Sequence, residues 1–387
     1  MEQLLKYAIG VDGAKDKFDV CLMSVDLALR SKVNASRKFS NTLAGFEEFL
    51  LWVQKHCKEP VPAQILMEAT GVYHEKLAIW LTEQGKEVVV VLPNKARRYM
   101  QSLGIKTKND RVDARGLAMM CLHHQFEVWK PIGKYNYELR LLTRHHQSTQ
   151  ELKTVFLNQL HALEHSGYSS KQVSKQLKKT IKLFEKQLQA IKKGVADHID
   201  SNEEVKRKVG HICQIKGVDI LTVATIIAET NGFELFHNQS QLASYAGYDV
   251  VENQSGNHAG KTRISKKGNS RIRRILHMPA LNVVRYQETP FQRLHERIYE
   301  KTKVKMKGYV AVQKKLLLVM YTLWKHDQSY KRDYEEKMIS GNDEQKLLFP
   351  SEGQKNSAAK SGTTQDELRY DESHEVLFPL IQKYKKT

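Results

Sequence analysis

The sequence predicts an α/β domain over residues 1–132, a long helical connector over 133–208 and a mostly helical region over 209–330. Three observations predict this order. Short apolar runs alternate with helical periodicity before Pro131 and Gly133. Residues 136–208 contain no proline, and leucines recur there at helical spacing. From Ile339 the chain becomes polar, so residues 331–387 are expected to form a disordered tail, apart from a possible short element at Val376–Tyr384.

The strands and helices of the first domain follow from the spacing of its apolar residues. Tyr7–Val11 and Phe18–Leu22 are predicted strands around a turn that begins at Asp12, and Arg37–Asn41 is a possible third strand. The elements after these alternate in type, with strands at Gln64–Glu68 and Glu87–Leu92 and helices at Ala44–His56, Tyr73–Gln84 and Asp110–His123. Val88–Val91 is apolar on both faces, which is typical of a strand inside a mixed or parallel sheet.

The connector is predicted to contain two long helices separated by Gly167–Ser170. A helical hairpin or coiled coil fits this pattern, although imperfect heptads leave a helical bundle equally open. The second helix is rich in lysine, which indicates either a solvated face or, about as readily, a surface that faces nucleic acid. These residues are Lys171, Lys175, Lys178, Lys179, Lys182, Lys186, Lys192 and Lys193.

Charge and composition narrow the class of partner. The formal net charge is +19, which would attract nucleic acid or an anionic membrane surface. No stretch approaches the ~20 apolar residues that span a bilayer, and Met1–Lys6 lacks the plan of a signal peptide. The 4 cysteines are scattered, which suits a reducing cytoplasm and argues against a zinc site or a disulfide framework. We therefore expect a cytoplasmic protein whose leading partner is nucleic acid.

Four carboxylates stand where predicted strands end or a predicted helix begins: Asp12, Glu68, Asp110 and Asp113. The strand before Asp12 and the strand before Glu68 commonly pair in this topology, and positions three apart share one helix face. Hard carboxylate oxygens suit Mg²⁺ or Mn²⁺, and a pair of such ions can serve phosphoryl transfer. The set therefore predicts a divalent-metal site beside a polyanion.

Each carboxylate also has a structural interpretation. Asp12 could form a turn, and Asp110 could cap its helix with Asp113 in a capping role. That interpretation is the stronger one for single residues, but it is weak for Glu68, because a partly buried carboxylate needs a partner. Taken jointly, the four favour the metal site. Asp16 and Asp19 are expected to be exposed, and the neighbouring cations Lys106, Lys108, Arg111 and Arg115 suit DNA phosphates.

Two further features lie in the C-terminal region. Ile215–Ala224 resembles a helix–hairpin–helix around Gly217, although Asp219 replaces its usual second glycine and a purely structural turn is about as favoured. Ser255 lies in Asn253–Asn257, and no acidic residue interrupts 253–287. A serine flanked by cations suits a nucleophile that attacks phosphate, although serines in such loops are usually turn residues. The flanking cations are Lys261, Arg263, Lys266, Lys267, Arg271, Arg273 and Arg274.

These motifs, in this order, resemble the DEDD-type insertion-sequence transposases that include the pilin-gene invertase. The resemblance rests on Gly10–Asp12, Met67–Tyr73, Lys106–Ala114, Leu242–Gly247 and Gln254–Gly256, and it covers about residues 5 to 285. The sequence departs from the family at Asp219 and at Asp249–Val251, where the family often has a proline. These departures affect local loop geometry rather than the chemistry.

The resemblance implies a RuvC-like, RNase H-type first domain with Asp12, Glu68, Asp110 and Asp113 as Mg²⁺ ligands. It implies a coiled coil that joins protomers into a dimer or tetramer. It also implies a C-terminal transposase domain whose Ser255, from the same or another protomer, forms a phosphoserine link to double-stranded DNA. Some members are guided by a structured bridge RNA, which would move sequence recognition out of the protein.

Two other functions stay open. The carboxylates alone could cut branched DNA, as in a Holliday-junction resolvase, with Ser255 structural. The chain could instead bind nucleic acid through its basic helices without catalysis, which the ordered carboxylates make the least favoured hypothesis.

Overall fold

The computed structural model describes residues 3–58, 60–69, 71–104, 109–252, 254–255, 258–260 and 263–332, with only the backbone described at 254, 255, 258 and 259. These residues form two units that meet in sequence between Pro131 and Ile132. The predicted tail beyond Arg332, including Val376–Tyr384, lies outside the described residues. Within the described ranges, no helix is long and apolar enough to cross a membrane.

The first unit is built on a five-stranded mixed sheet in the order β3-β2-β1-β4-β5. β2 lies antiparallel to both β1 and β3, whereas β4 lies parallel beside β1 and β5 lies parallel beside β4. The strands are β1 (Leu4–Gly13), β2 (Lys17–Asp26), β3 (Ser31–Ser40), β4 (Ala63–Glu68) and β5 (Glu87–Val91). The predicted pairing of the first and fourth strands is therefore confirmed.

Helices cover both faces of this sheet. They are α1 (Leu43–His56), α2 (Glu75–Glu83), α3 (Pro93–Ser102) and α4 (Asp110–His123). On one face, α1 and α2 close a core rich in aromatic side chains, where Phe18 packs edge-on against Phe49. On the other face, Leu117 of α4 and Ala96 of α3 pack over Leu66 and Val89. The α/β character predicted for this part of the chain is confirmed.

Four local predictions needed correction. β5 is an edge strand of the described sheet instead of an inner one, and its valines are buried because helices pack on both faces. β1 continues through Asp12 to Gly13, so the turn begins at Ala14 instead of Asp12. β3 begins at Ser31, six residues before its predicted start, because most of its side chains are exposed and give little apolar alternation. Helix α3 was missed: Ala96 is its one fully buried residue, and Tyr99 and Met100, partly buried beside it, give only a short apolar stripe among polar residues. Pro93 marks its first turn rather than only the end of β5.

The second unit begins with two long helices, α5 (Lys134–Glu164) and α6 (Lys171–Asp200). Pairs along their length show that the two helices are antiparallel. Tyr135 stacks on His198 near one end, Phe156 meets Phe184 midway, and Lys178 pairs with Glu164 at 3.1 Å near the turn. The helical hairpin is confirmed, and coiled-coil packing stays a prediction.

The rest of the second unit is mostly helical, as predicted. Its helices are α7 (Glu203–Cys213), α8 (Ile220–Thr230), α9 (Gln239–Tyr245), α10 (Ser270–Ile275), α11 (His277–Arg285), α12 (Thr289–Thr302) and α13 (Lys305–His326). Leu139 and Val195 of the hairpin share one core with Ile227 and Leu316. The sequence regions divided at 208 and 209 therefore fold together as one unit.

Candidate functional site

Two of the predicted site carboxylates end neighbouring parallel strands. Asp12 is the penultimate residue of β1, and Glu68 is the last residue of β4. Val11 lies opposite Met67 in the parallel register, so Asp12 and Glu68 follow at the same edge of the sheet. Both residues are partly buried. Because the two strands are paired in this register, the two carboxylates are held beside each other at the ends of apolar runs, with limited access to water.

Helix α4 brings the other two carboxylates to this face of the sheet. Gly10 allows the approach, because a Cβ atom there would overlap the backbone carbonyl of Ala114 and the backbone amide of Ala118. Gly10 and Asp12 are two residues apart on β1 and therefore share a face. Asp110 and Asp113 occupy the first turn of α4.

Asn109, rather than Asp110, caps this helix. Its side-chain oxygen accepts a hydrogen bond from the Val112 amide at 2.9 Å. The interpretation of Asp110 as the cap is therefore wrong, and its carboxylate needs no structural role at the helix end. Asp110 is exposed, and Asp113 is partly buried.

The other three carboxylates raise the pKa of Asp12. Burial and the negative charges of Asp113, Glu68 and Asp110 raise the pKa of Asp12 from its ordinary 3.8 to about 7. Each of the other three therefore lies close enough to oppose ionisation of Asp12. The structure thus brings Asp12, Glu68, Asp110 and Asp113 into one electrostatic cluster.

Asp19 also belongs to this surface, contrary to the expectation that it is exposed. It lies directly opposite Asp12 on β2, and its charge adds to the rise in the pKa of Asp12. Its side chain is only 14% exposed and pairs with Lys38 Nζ at 3.1 Å. Asp16 is exposed, as expected. Asp19 stands between the apolar residues Phe18 and Val20, and this alternation predicts a solvent-facing side chain. The sequence gives no sign that α4 covers that face.

The donor set fits a hard divalent cation. All four side chains offer carboxylate oxygens, and the cation would relieve the repulsion that opposes ionisation of Asp12. Among the described residues, no three His, Cys, Asp or Glu side chains already stand at metal-binding distances. The cluster therefore has the chemistry of a metal site, and its side chains would have to draw closer around an ion.

Two of the predicted nucleic-acid contacts of the first unit lie on α4, which carries Asp110 and Asp113. Arg111 and Arg115 are exposed on α4. Their charges reach buried Cys21, where they oppose the rise in the pKa of its thiol that burial causes. Lys106 and Lys108 lie outside the described residues.

Ser255 lies on a short two-stranded segment of the second unit. β7 (Gln254–Ser255) pairs with β8 (His258–Ala259), and β6 (Val250–Val251) pairs with β9 (Arg263–Ile264). Ser255 is opposite His258 in the backbone register. Arg263, Lys266 and Lys267 are exposed near this segment in sequence, and Lys261 lies outside the described residues.

Three of the predicted nucleic-acid cations already have partners inside the second unit. Arg273 donates to the Ala246 carbonyl at 2.7 Å, Arg274 pairs with Glu151, and Arg271 donates to Gln147 at 2.7 Å. These contacts anchor the start of α10 to its surroundings. Binding of nucleic acid by these three arginines stays a prediction.

Glu229, which the sequence analysis missed, organises the surroundings of Arg271. Its carboxylate is 1% exposed and accepts two hydrogen bonds from Arg144, at 2.7 and 2.9 Å, and lies 3.8 Å from Arg271 Nε. Burial opposes its ionisation, but Arg144, Asn269 and Arg271 outweigh burial, so the pKa of Glu229 lies below its usual range. One signal was present in the sequence: Glu229 is the one ionisable residue of the apolar helix α8.

Asn269 connects Glu229 to the segment that carries Ser255. Asn269 donates to Glu229 at 2.9 Å, and its backbone amide donates to the Tyr245 carbonyl at 2.7 Å. Tyr245 and Asn269 stand at the two ends of the segment 246–268. The buried network therefore closes the base of that segment.

In the turn that resembles a helix–hairpin–helix, a side chain of the protein already caps the N-terminus of α8. Asp219 caps α8 and accepts from the Thr222 amide at 2.9 Å. Gly217 has a φ of +98° and lies against Asn282, so glycine is required there for backbone geometry and packing. Because the Asp219 carboxylate takes the amide that a phosphate would use, the geometry supports the structural interpretation of this turn.

Comparisons with known protein families give two matches along the chain. Residues 9–164 match a family model for a DEDD transposase, described as "Transposase", and residues 210–296 match one described as "Transposase IS116/IS110/IS902 family". The class of protein is thus a DEDD transposase, a DNA-cleaving enzyme that requires a divalent metal. The two matches together cover more than half of the chain, and the chain belongs to the IS110 family of these transposases.

Curated relatives match over almost their whole length. The pilin gene-inverting protein of Moraxella bovis is 28% identical over 328 residues, which are 84% of this chain and 98% of the relative. The pilin gene-inverting protein of Moraxella lacunata is 27% identical with the same coverage, 84% and 98%. A solved structure of T. thermophilus RuvC in complex with a Holliday-junction substrate is 12% identical, covers 29% of this chain and 90% of that one, and has a TM-score of 0.22. That score is too low to establish a shared fold.

Proposed function

We propose that the chain is a DNA recombinase that cuts and rejoins strands with the DEDD cluster and Ser255. The observation that carries this proposal is a set of four carboxylates on one face of a sheet. Asp12 and Glu68 end the neighbouring strands β1 and β4, and α4, which packs against β1 at Gly10, begins with Asp110 and Asp113. The strand order β3-β2-β1-β4-β5 supports assignment of this unit to the RuvC-like, RNase H-type fold. The family match supports its action on DNA.

In this proposal Asp12, Glu68, Asp110 and Asp113 hold Mg²⁺ or Mn²⁺. Such ions activate an attacking oxygen and stabilise a leaving oxygen in phosphoryl transfer. The protein contributes the rigid frame: β1 and β4 fix two carboxylates, and the capped start of α4 fixes the other two. The raised pKa of Asp12 keeps the cluster partly protonated near neutrality without a cation.

Ser255 acts as the nucleophile. Its hydroxyl loses a proton and its Oγ bonds to phosphorus, while one deoxyribose oxygen leaves the phosphate and takes up a proton. A deoxyribose hydroxyl of another DNA end then attacks the phosphoserine and releases the serine. The free energy of the broken phosphodiester is kept in the phosphoserine, so rejoining needs no nucleotide cofactor.

The partners are double-stranded DNA, at the element ends and at the target, and a structured guide RNA. The exposed cations Arg263, Lys266 and Lys267 of the second unit and Arg111 and Arg115 of the first are proposed to contact phosphates. A homodimer or tetramer is proposed to form through the helical hairpin. Exposed apolar side chains on α5, at Leu152, Val155 and Leu157, support this association.

Paired substitutions test the proposal in a plasmid recombination assay. Asp12→Ala and Ser255→Ala should each abolish recombination, whereas Ser240→Ala, at an exposed position on α9, should leave it intact. A protein–DNA adduct should survive denaturing electrophoresis with the wild type and disappear with Ser255→Ala. Retained DNA cutting by Ser255→Ala, without any adduct from the wild type, would favour a nuclease in which the serine is structural.

A further inference from the structure

Cross-strand register places one row of charged side chains along the edge of the sheet that carries Asp12 and Glu68. Lys38 on β3 lies opposite Asp19 on β2, and Asp19 lies opposite Asp12 on β1. Directly opposed residues in antiparallel strands point to the same face. Lys38 therefore lies on the face of Asp12, at the end of the row beyond Asp19.

The ion pair fixes the direction of the Lys38 side chain. Lys38 Nζ lies 3.1 Å from Asp19 Oδ2, and Asp19 is 14% exposed whereas Lys38 is 45% exposed. The carboxylate is thus mostly covered while its cation remains open to solvent. A long cationic side chain held in this way can contact an external anion at little further cost in side-chain entropy.

Two cations of α4 lie on the same side of the cluster. The charges of Arg111 and Arg115 oppose the rise in the pKa of the Cys21 thiol that burial causes, and Cys21 lies opposite Ser36 on β3. Ser36 is two residues before Lys38 on β3 and shares its face. Because α4 packs on the face of the sheet that carries Cys21, the exposed cations Arg111 and Arg115 belong to the same face as Lys38.

We propose that Lys38 binds a backbone phosphate of the DNA strand that enters the DEDD cluster, with Asp19 as the residue that positions it. The inference rests on the proposed function for the identity of the partner. A cation next to a cluster of carboxylates serves a polyanionic substrate, because it offsets the repulsion between the phosphates and the carboxylates. Asp19 alone would add to that repulsion, and its pairing with Lys38 makes this end of the row neutral before DNA arrives.

The chain offers a closely matched control at the next residue. Arg37 carries the same charge on the same strand, is 49% exposed, and pairs with Glu48 of α1, so it lies on the opposite face of the sheet. Lys38→Ala and Arg37→Ala thus remove one cation each from adjacent, similarly exposed positions. Only the first lies on the face of the cluster.

The test is the salt dependence of binding to a fluorescein-labelled, random-sequence DNA duplex, measured by anisotropy with the full chain in EDTA. Each phosphate contact accounts for roughly a threefold fall in affinity between about 50 and about 200 mM KCl. Lys38→Ala should lose one such threefold factor, with a salt slope lower by about 1. Arg37→Ala and Lys38→Arg should keep the wild-type slope, and Lys38→Arg also controls for folding.

A double variant separates phosphate binding from simple neutralisation of Asp19. If Lys38 only neutralises Asp19, then Asp19→Asn combined with Lys38→Ala restores the wild-type slope, which overturns the proposal. If Lys38 contacts phosphate, the double variant keeps the reduced slope. A wild-type slope in Lys38→Ala alone also overturns the inference while leaving the recombinase intact. A wild type with no salt-dependent affinity for the duplex would overturn both DNA as the partner and this inference. The recombination assay tests the proposed function independently of this binding measurement.

Discussion

Replacing Asp12 by Asn should stabilise the metal-free protein, although it removes a side chain essential to the proposed activity. The pKa of Asp12 rises from 3.8 to about 7 through burial and the neighbouring carboxylates. One pKa unit corresponds to about 1.4 kcal/mol, so the shift would amount to ~4 kcal/mol without screening. Because the side chain is partly open to solvent, the expected gain in unfolding free energy is ~1–3 kcal/mol.

The pH dependence follows from the direction of this shift. Between pH 3.8 and about 7 the native state keeps the Asp12 proton while the unfolded chain loses it. The native state binds more protons in this window, so the stability of the wild type falls as pH rises through it. Asparagine has no proton to lose, and the advantage of Asp12→Asn should therefore grow up to about pH 7 and then level off.

Thermal melts in EDTA at about pH 5 and about pH 8 measure this difference. A gain of ~1–3 kcal/mol at the higher pH corresponds to a rise of several degrees in the melting temperature of the first unit. Asp16→Asn, a change of equal charge in the exposed turn after β1, is the control and should move the midpoint little. Added Mg²⁺ should stabilise the wild type and reverse the order, since the variant lacks one ligand. An equal midpoint for Asp12→Asn and the wild type at about pH 8 would refute the clustering of carboxylates around Asp12.

Three other predictions concern packing and buried charge. Gly10→Ala should cost ~1–3 kcal/mol and impair metal-dependent DNA cutting, because its methyl group overlaps the backbone of α4; Gly210→Ala, at an open helical position, should be neutral or stabilising in the same melts. Glu229→Gln should cost ~3–5 kcal/mol in urea unfolding, because it leaves buried arginine charge uncompensated, whereas a loss under ~1 kcal/mol would contradict the ionised network. Glu151→Gln, in a half-exposed pair, should change stability by no more than ~1 kcal/mol.

Local patterns in the sequence were enough to place most elements of the first unit. Tyr7–Val11 and Val88–Val91 are continuous apolar runs, and both lie inside strands. Thr42 before α1 is a side-chain cap, and its oxygen accepts from the Gly45 amide at 3.3 Å. β3 and α3 were harder to predict, because most side chains of β3 are exposed and α3 has a short apolar stripe of one buried and two partly buried residues.

The candidate site was predictable only to the level of which carboxylates matter. Glu68 could be singled out because a carboxylate directly after Ile-Leu-Met is expected to be partly buried and therefore needs a partner. Asp19 could not, because its neighbours alternate and its partner Lys38 is on another strand. The ion pair between Arg271 and Glu229 could not be predicted either, since the two residues lie 42 positions apart in the sequence.

Local sequence patterns were sufficient for the strands and helices of the first unit other than α3, for the strand-end positions of Asp12 and Glu68, and for the first-turn position of Asp113. These properties depend on apolar spacing and on residues next to one another in the chain. The tertiary structure decided which charges meet. The register of β1, β2 and β3 joined Lys38 and Asp19 to the row of Asp12, and the packing of α4 against Gly10 brought its carboxylates over the sheet. Electrostatic energy depends on distance and burial, and both are set by the packing of elements that are remote in sequence.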